Sequence, residues 1–176
     1  QMPRPAGHRP ACFSPARRQN PPMKNGAIPV QLRGIVPGFQ GWGIFLGTDD
    51  KVFVIQVEEG MGRVIHDFLQ KKPHNRPLTH DLVNSVFKGF GIHVERVLIS
   101  ELKDSTYHAR LMLREKNELG TNFVEVDARP SDCLALAIAN RAPIFVGAAL
   151  FAQVEDATEL LQNLTETSSA GEGEDA

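Results

Sequence analysis

An uninterrupted apolar run, Cys133–Ala139, follows Pro130 and precedes Pro143. Proline is favoured at the first position of a helix, so Pro130 predicts a helix that contains this run and ends before Pro143. A helix that is apolar on all sides has to be buried. Other elements must therefore surround it, and 176 residues with 41% hydrophobic content are enough to form one such core.

Groups of short strand patterns alternate with helical patterns along the chain. Strands are predicted at Val30–Val36, Trp42–Leu46, Lys51–Val57, His93–Leu102, Tyr107–Arg114, Phe123–Asp127 and Ile144–Val146. Helices are predicted from Met61 to a stop at Pro73, from Thr79, from Pro130, and over Glu155–Leu164. We therefore predict an α+β fold with mainly antiparallel strand meanders and helices packed on the sheet, in a single domain.

The second predicted helix has a defined start and a defined apolar face. Thr79 is a residue type favoured at the N-cap, so His80 and Asp81 are predicted to lie in the first turn. The helical spacing predicts one buried stripe, made of Leu82, Val83, Val86, Phe87 and Phe90.

The ends of the chain differ in charge from its middle. Residues 1–27 carry basic side chains and no acid, whereas residues 165–176 carry acids and no base. Both ends offer little to bury, so we predict a disordered basic leader over 1–27, a folded domain over 28–164 and a disordered acidic tail over 165–176. A transit peptide, or added sequence before a natural start at Met23, also fits the leader.

The cysteines and the hydropathy of the chain indicate in which cellular compartment the protein is located. Cys12 lies in the leader and Cys133 in the apolar run, so neither a disulfide framework nor a CxxC metal site is indicated. No apolar run approaches the roughly 18 residues that span a bilayer. We therefore predict a cytoplasmic protein without membrane association, and a homo-oligomer stays open.

Net charge limits how this chain could bind nucleic acid. The formal net charge is −2, and most of the basic excess lies in the leader. Broad neutralisation of phosphates normally needs a basic domain. Binding of nucleic acid would therefore need a local basic site, the leader or a bound metal.

The strongest polar cluster, Asp127–Asp132, runs from a strand end into the buried helix. Free N–H groups at a helix start attract anions, Arg129 can hold a phosphate through two hydrogen bonds, and the aspartates can hold a divalent cation or accept a proton. Alternatively, Ser131 or Asp132 stabilises the helix start and Arg129 pairs with a carboxylate to fix the loop.

A second cluster, Arg76–Asp81, also leads into a helix. His80 could act as an acid, a base or a metal ligand near neutral pH. It could equally be a partly exposed histidine of the first turn. Asp81 is favourable there because it meets the positive end of the helix dipole.

A third cluster combines two predicted strands. The hairpin turn and the strand after it carry Lys103, Asp104, His108 and Arg110. Glu125 and Asp127 share one face of the later strand. If the strands pair, these charges could converge in the way that metal-assisted phosphodiester cleavage needs, because charge develops on the phosphate and a water must be deprotonated. Cross-strand ion pairs on a solvated face would give the same pattern.

Three separated segments resemble the bifunctional nuclease family: RPLTHDLVNSVFKGFG, VLISELKDSTYHARL and VEVDARPSDCLALAIANRAPIFV. The resemblance extends from about Gly43 to Val146, and it implies cleavage of both DNA and RNA in an α+β fold particular to that family. Its motif positions here are Arg76–Asp81, Lys103, Asp104, Ala109, Asp127 and Arg129–Asp132. Ser105 and His108 stand where a glycine and an aromatic residue are commoner.

Two hypotheses follow, and both place His80 and the Asp127–Asp132 segment in one concavity. In the first, the protein is a nuclease for DNA and RNA with catalytic roles for His80, Asp81, Asp104 and Asp127. Mg²⁺ or Mn²⁺ would bind Asp127 and Asp132, and the substrate would bind Arg76, Lys103, Arg110, Arg129 and Ser131. In the second, the same residues form a non-catalytic binding or regulatory module that recognises a nucleotide, another anion or a protein partner.

Overall fold

The computed structural model of the chain describes residues 26–118 and 120–170, with side chains described up to residue 166. Its strands are β1 (Ala27–Gly38), β2 (Gly41–Gly47), β3 (Val52–Val57), β4 (Ile92–Lys103), β5 (Thr106–Asn117), β6 (Gly120–Ala128) and β7 (Ile144–Gly147). Its helices are α1 (Glu59–Leu69), α2 (Thr79–Gly89), α3 (Pro130–Asn140), α4 (Ala148–Gln153) and α5 (Thr158–Ala170). These elements form one α+β domain, which confirms the predicted fold class.

The strands of the described residues join one sheet in the order β3-β2-β1-β7-β4-β5-β6. Neighbouring strands are antiparallel except β4 and β7, which pair in parallel. β1 connects the two halves, because residues 27–30 pair with β7 and residues 31–38 pair with β2. The register shifts between Leu32 and Gly34, where a bulge bends the strand.

Helix α3 lies inside the core. The side chains of Cys133–Ala137 are buried, and the helix packs against α1, β4 and β5. Arg141 follows it with φ 53°, a left-handed conformation that ends the helix before Pro143. The prediction of a buried helix in this segment is confirmed.

The sheet curls so that its two outer parts approach each other. The rings of Phe53 in β3 and Tyr107 in β5 have centroids 6.2 Å apart, although β2, β1, β7 and β4 separate these strands in the sheet. A cleft opens where the end of β3 meets the β5–β6 pair.

Helix α1 approaches β2 closely because it contains Gly62. A Cβ atom at this position would lie 2.1 Å from Cγ of Trp42, so a larger residue would force the helix away. The N-cap of α1 is Glu58, which directly follows β3. Close packing of α1 thus fixes a carboxylate at the end of β3.

Several strands are longer than predicted. β1 was predicted to end at Val36 but continues through Pro37 to Gly38, because the end of the strand still pairs with β2. β5 was predicted to end at Arg114 and β6 to begin at Phe123, but β5 extends to Asn117 and β6 begins at Gly120. The connection between them is therefore a short hairpin turn. Polar side chains support this extension, since Asn122 donates a hydrogen bond to Glu115 across the two strands.

The C-terminal helical region also differs from its prediction. The amphipathic helix begins at Thr158 rather than Glu155, because the Asp156 carboxylate accepts the N–H of Thr158 at 2.9 Å. It extends to Ala170 and so includes the start of the predicted acidic tail. The short helix α4 was not predicted, and residues 148–153 had no element assigned to them.

The predicted N-cap of α2 is wrong by one residue. Leu78 occupies the N-cap with extended backbone angles, and Thr79 is the first helical residue. The Asp81 carboxylate accepts the N–H of Leu78 at 2.9 Å. The Asp81 carboxylate in the first turn therefore caps the N–H of the N-cap residue itself, a contact that does not need Thr79.

The predicted buried stripe of α2 is wrong for three of its five members. Val83 and Phe87 pack against the core. Leu82, Val86 and Phe90 are exposed at 60%, 46% and 71%. The helical period identifies an apolar face, but it does not say whether another element covers that face.

The sequence also predicted that the protein does not associate with a membrane and that its two tails are disordered. No helix within the described ranges is both long enough and apolar enough to cross a membrane. The leader lies outside the described residues except for its last two positions, and residues 171–176 of the acidic tail lie outside them as well.

Candidate functional site

A cleft of about 520 Å³ opens where β3, the β4–β5 hairpin and the start of α3 meet. Its polar lining comprises Gln56, Glu58, Ser105, Thr106, Tyr107, His108, Asp127, Arg129 and Ser131. These residues come from separate parts of the chain, and the curled sheet brings them together. The cleft thus combines carboxylates, hydroxyls, an imidazole and a guanidinium, which are groups that can bind phosphate and transfer protons.

Four side chains form a continuous polar row from the cleft into the protein interior. Nη1 of Arg129 lies 3.7 Å from Oε1 of Glu58. Nε of Arg129 donates a hydrogen bond to Oδ2 of Asp132 at 2.9 Å. Oδ1 of Asp132 lies 3.0 Å from Nε2 of His80. Asp132 therefore connects an arginine at the surface with a buried histidine.

His80 occupies the inner end of this row. It is 9% exposed, and the ring of Phe68 packs edge-on against it with centroids 6.4 Å apart. His80 contacts Asp132 but does not line the cleft. The contact with Asp132 joins the two polar segments, but of the residues expected to share one concavity only Asp127–Ser131 line this cleft.

Asp81 has a local role at the start of α2. Besides accepting the N–H of Leu78, its Oδ2 lies 3.0 Å from Nδ1 of His74. Asp81 lines a second cleft, near the ends of α1 and α3, together with Lys71 and Arg141. This placement separates it from the cleft that contains Asp127.

Asp127 is the most available carboxylate in the cleft. It is exposed, and it makes no hydrogen bond or ion pair with another of the described residues. It lies across from Arg110 on β5. A hydrogen bond from Arg110 to Glu125 raises the pKa of Arg110, and the Asp127 carboxylate adds to this effect. Asp127 therefore lies beside one cation, Arg110, which is hydrogen-bonded to Glu125, and it is not tied to a partner of its own among the described residues.

The other predicted site residues lie outside the cleft lining. Arg76, Lys103, Asp104 and Arg110 are all exposed. Lys103 and Asp104 adjoin Ser105, which does line the cleft. Asp104 and Ser105 have φ angles of 48° and 59°, which glycine adopts without strain. This conformation explains why a glycine is usual at the position of Ser105.

Glu58, Tyr107 and His108 line the cleft although the sequence did not identify them as site residues. No motif marks Glu58, because only the curl of the sheet brings it near Arg129. Burial raises the pKa of Tyr107, so its hydroxyl stays protonated and can donate a hydrogen bond. His108 had been noted only as one of several charged or polar residues near the hairpin.

The available donors only partly fit the predicted divalent metal. Across residues 26–118 and 120–166, no group of three or more His, Cys, Asp or Glu side chains is arranged to hold a metal ion. Asp132 already engages Arg129 and His80 with its two oxygens. Mg²⁺ often binds through one or two carboxylates together with substrate phosphates. Asp127 therefore fits the role of a ligand to such an ion when phosphate oxygens of the substrate supply the further ligands.

Cys133 lies next to this site but is not available as a nucleophile. The residue is fully buried. Burial raises the pKa of its thiol to about 12, and the carboxylates of Asp132 and Asp127 contribute in the same direction. The thiol is thus protonated at neutral pH, and it serves the packing of α3.

Comparison with known proteins gives one family and two relatives. The profile of a family described as "Bifunctional nuclease domain" matches residues 44–159. Two proteins of Mycobacterium tuberculosis, "Uncharacterized protein MT1877" and "Uncharacterized protein Rv1829", are each 37% identical to this chain over 78 residues. The matched segment covers 44% of this chain and 43% of each relative, so the chain spans less than half the length of the curated relatives it matches.

Proposed function

The chain belongs to the bifunctional nuclease domain family, and from this premise we propose that it hydrolyses phosphodiester bonds of DNA and RNA in the cleft around Asp127 and Arg129. One observation carries this proposal. An oriented guanidinium and a carboxylate without a partner among the described residues line the same open cleft. The guanidinium can bind a phosphate and stabilise the charge that develops on it, and the carboxylate can hold a divalent cation beside that phosphate.

Arg129 is suited to bind the phosphate of the substrate. Its side chain is 65% exposed, and its hydrogen bond to Asp132 raises its pKa, so it stays charged. Only Nε is used in that bond. The terminal nitrogens make no hydrogen bond with the described residues, and they can bind two phosphate oxygens. Ser131 and the free N–H groups at the start of α3 lie beside it.

We assign Asp127 as a ligand of a divalent metal ion, Mg²⁺ or Mn²⁺, which the substrate phosphate would also bind. Such an ion, when bound, would stabilise negative charge on the phosphate. Asp132 is the other predicted ligand, but it would have to release Arg129 or His80 in order to bind a metal. In this proposal Asp132 therefore positions Arg129, and Asp127 is the principal ligand.

Proton transfer needs a group that reaches the cleft. His80 is buried behind Asp132, so we assign it the role of positioning the Asp132 carboxylate. His108 lines the cleft and is half-buried, and it is the imidazole placed to exchange a proton with substrate or water. Lys103 and Asp104, at the adjoining turn, would contact the substrate beyond the reacting phosphate.

A non-catalytic module that recognises a nucleotide or another anion is the second candidate. It is favoured by the lack of a three-donor metal group among the described residues. Such a module would use Arg129 and the hydroxyl groups of the cleft without turnover. For either function we propose a cytoplasmic location, because the two cysteines of the sequence do not indicate a disulfide framework.

A cleavage assay on highly purified protein tests the proposal. Labelled DNA and RNA oligonucleotides are incubated with Mg²⁺ or Mn²⁺, and in parallel with EDTA. We expect cleavage of both nucleic acids that EDTA abolishes and that Asp127→Asn lacks. Asp50→Asn is the matched control, because it removes the same charge from an exposed turn between β2 and β3. Binding without cleavage under every metal condition would instead support the non-catalytic module.

A further inference from the structure

β6 is an open edge of the sheet. It pairs with β5 on one side, and no strand of residues 26–118 or 120–170 pairs with its other side. Every residue from Gly120 to Asp127 is exposed. Alternate residues of such a strand direct their N–H and C=O groups away from the sheet. β6 therefore offers a row of unused backbone donors and acceptors.

This edge lacks most of the features by which proteins prevent edge pairing. Protected edge strands are short, or carry charged side chains, proline or a bulge. β6 has 9 residues, contains no lysine or proline, keeps one continuous register with β5, and carries charge only at Glu125 and Asp127. Phe123, Val124 and Val126 are exposed at 56%, 51% and 38%. A strand of this kind is expected to be covered in the native assembly.

We propose that β6 pairs with β6 of a second copy of this chain, so that two sheets become one continuous sheet. The pairing is antiparallel around a two-fold axis at Val124, because closed two-fold dimers are the usual symmetric assembly. With the axis at this residue, all positions from Gly120 to Ala128 find a partner. The valines at the centre then meet each other on the face that continues the core.

Charge favours a second copy over a nucleic acid as the occupant. In this register Glu125 lies opposite Phe123 of the second copy and Asp127 lies opposite Thr121, so no two acids lie directly opposite each other, and the two Glu125 residues are diagonal neighbours. Glu125 is also neutralised within its own chain by Arg110. A nucleic acid lying along β6 would meet the Asp127 carboxylate, and β6 itself carries no basic side chain that could bind phosphate.

The dimer would also affect the candidate site, because Asp127 lies on β6 and lines the cleft. Pairing would restrict the movement of β6, the strand that carries this carboxylate. The Asp127 residues of the two copies would lie six positions apart along the paired strands, which corresponds to about 20 Å. A two-fold axis perpendicular to the sheet places both clefts on the same side.

The molar mass of the full chain in solution tests this proposal. We expect light scattering after size exclusion to give the mass of two chains at micromolar concentration. Val124→Lys places a charge at the centre of the edge, and we expect it to weaken the dimer at least tenfold. Leu82→Lys is the matched control, because it makes the same kind of change at an exposed residue of α2, and it should leave the dimer intact.

Hydrogen exchange of the unmodified protein gives a second measurement that does not depend on how the variant folds. We expect the outward-facing amides of β6 to exchange more slowly as protein concentration rises. A monomer throughout the accessible concentration range would overturn the proposal. So would a dimer that Leu82→Lys dissociates and Val124→Lys does not, since α2 would then form the interface.

Discussion

Nε2 of His80 lies 3.0 Å from Oδ1 of Asp132, so the first turns of α2 and α3 are joined across 52 positions of the sequence. The other oxygen of Asp132 holds Nε of Arg129. A guanidinium at the surface thus depends, through one carboxylate, on a histidine that is almost fully buried. The two polar segments act as one structural unit.

His80→Ala should lower the free energy of unfolding by about 1–3 kcal/mol, because it leaves one oxygen of a partly buried carboxylate without its partner. Urea denaturation followed by circular dichroism measures this change. His93→Ala is the control, since His93 is exposed at the start of β4, and its effect should stay within about 0.5 kcal/mol. Equal stability of the two variants would show that the contact with Asp132 contributes nothing.

The sequence predicted those elements whose pattern is local. The apolar run Cys133–Ala139 was predicted to lie in a buried helix, and it lies in α3, where Cys133–Ala137 are buried. The hairpin of β4 and β5 also followed from its turn residues. The exposure of Leu82 could not be predicted, because a helical period shows where apolar residues lie and not what covers them.

The candidate site was only partly predictable for a similar reason. Arg129 and Asp127 were recognised because they lie in one short polar segment at a helix start. Glu58 was missed, since it approaches Arg129 only through the curl of the whole sheet. His80 was recognised as polar and near a helix start, but its burial behind Asp132 depends on how α2 packs against α3.

Arg129→Gln should weaken the binding of single-stranded oligonucleotides and reduce its salt dependence. Loss of one phosphate contact is expected to lower the slope of log affinity against log salt by about 0.7. Fluorescence anisotropy in EDTA at several salt concentrations measures this slope without cleavage. Arg63→Gln removes the same charge from the exposed face of α1, and it should keep the parent slope. An unchanged slope for Arg129→Gln would remove this residue from the phosphate site.

Cys133 should make stability fall at alkaline pH. Its pKa is raised to about 12 by burial, whereas an unfolded thiol titrates near 8.5. The stabilisation is thus fully present below about pH 8.5 and is lost as pH rises towards 12, because only the unfolded chain releases the proton. We expect urea denaturation to show this decline from pH 8.5 to 10.5, and Cys133→Ala to lack that part of it. Parallel declines in both proteins would contradict the assignment.

Asp127→Asn and Asp132→Asn should separate catalysis from stability. Asp127 is exposed and has no partner among the described residues, so the amide should leave the melting temperature unchanged while it removes the charge that a metal needs. Asp132 is 28% exposed and contacts both Arg129 and His80. Its amide should cost about 1–3 kcal/mol, which corresponds to a melting temperature lower by several degrees. Differential scanning calorimetry and the cleavage assay are run on the same preparations. If Asp127→Asn melts lower yet cleaves at the parent rate, Asp127 supports the fold rather than the reaction, and the metal proposal loses its principal ligand.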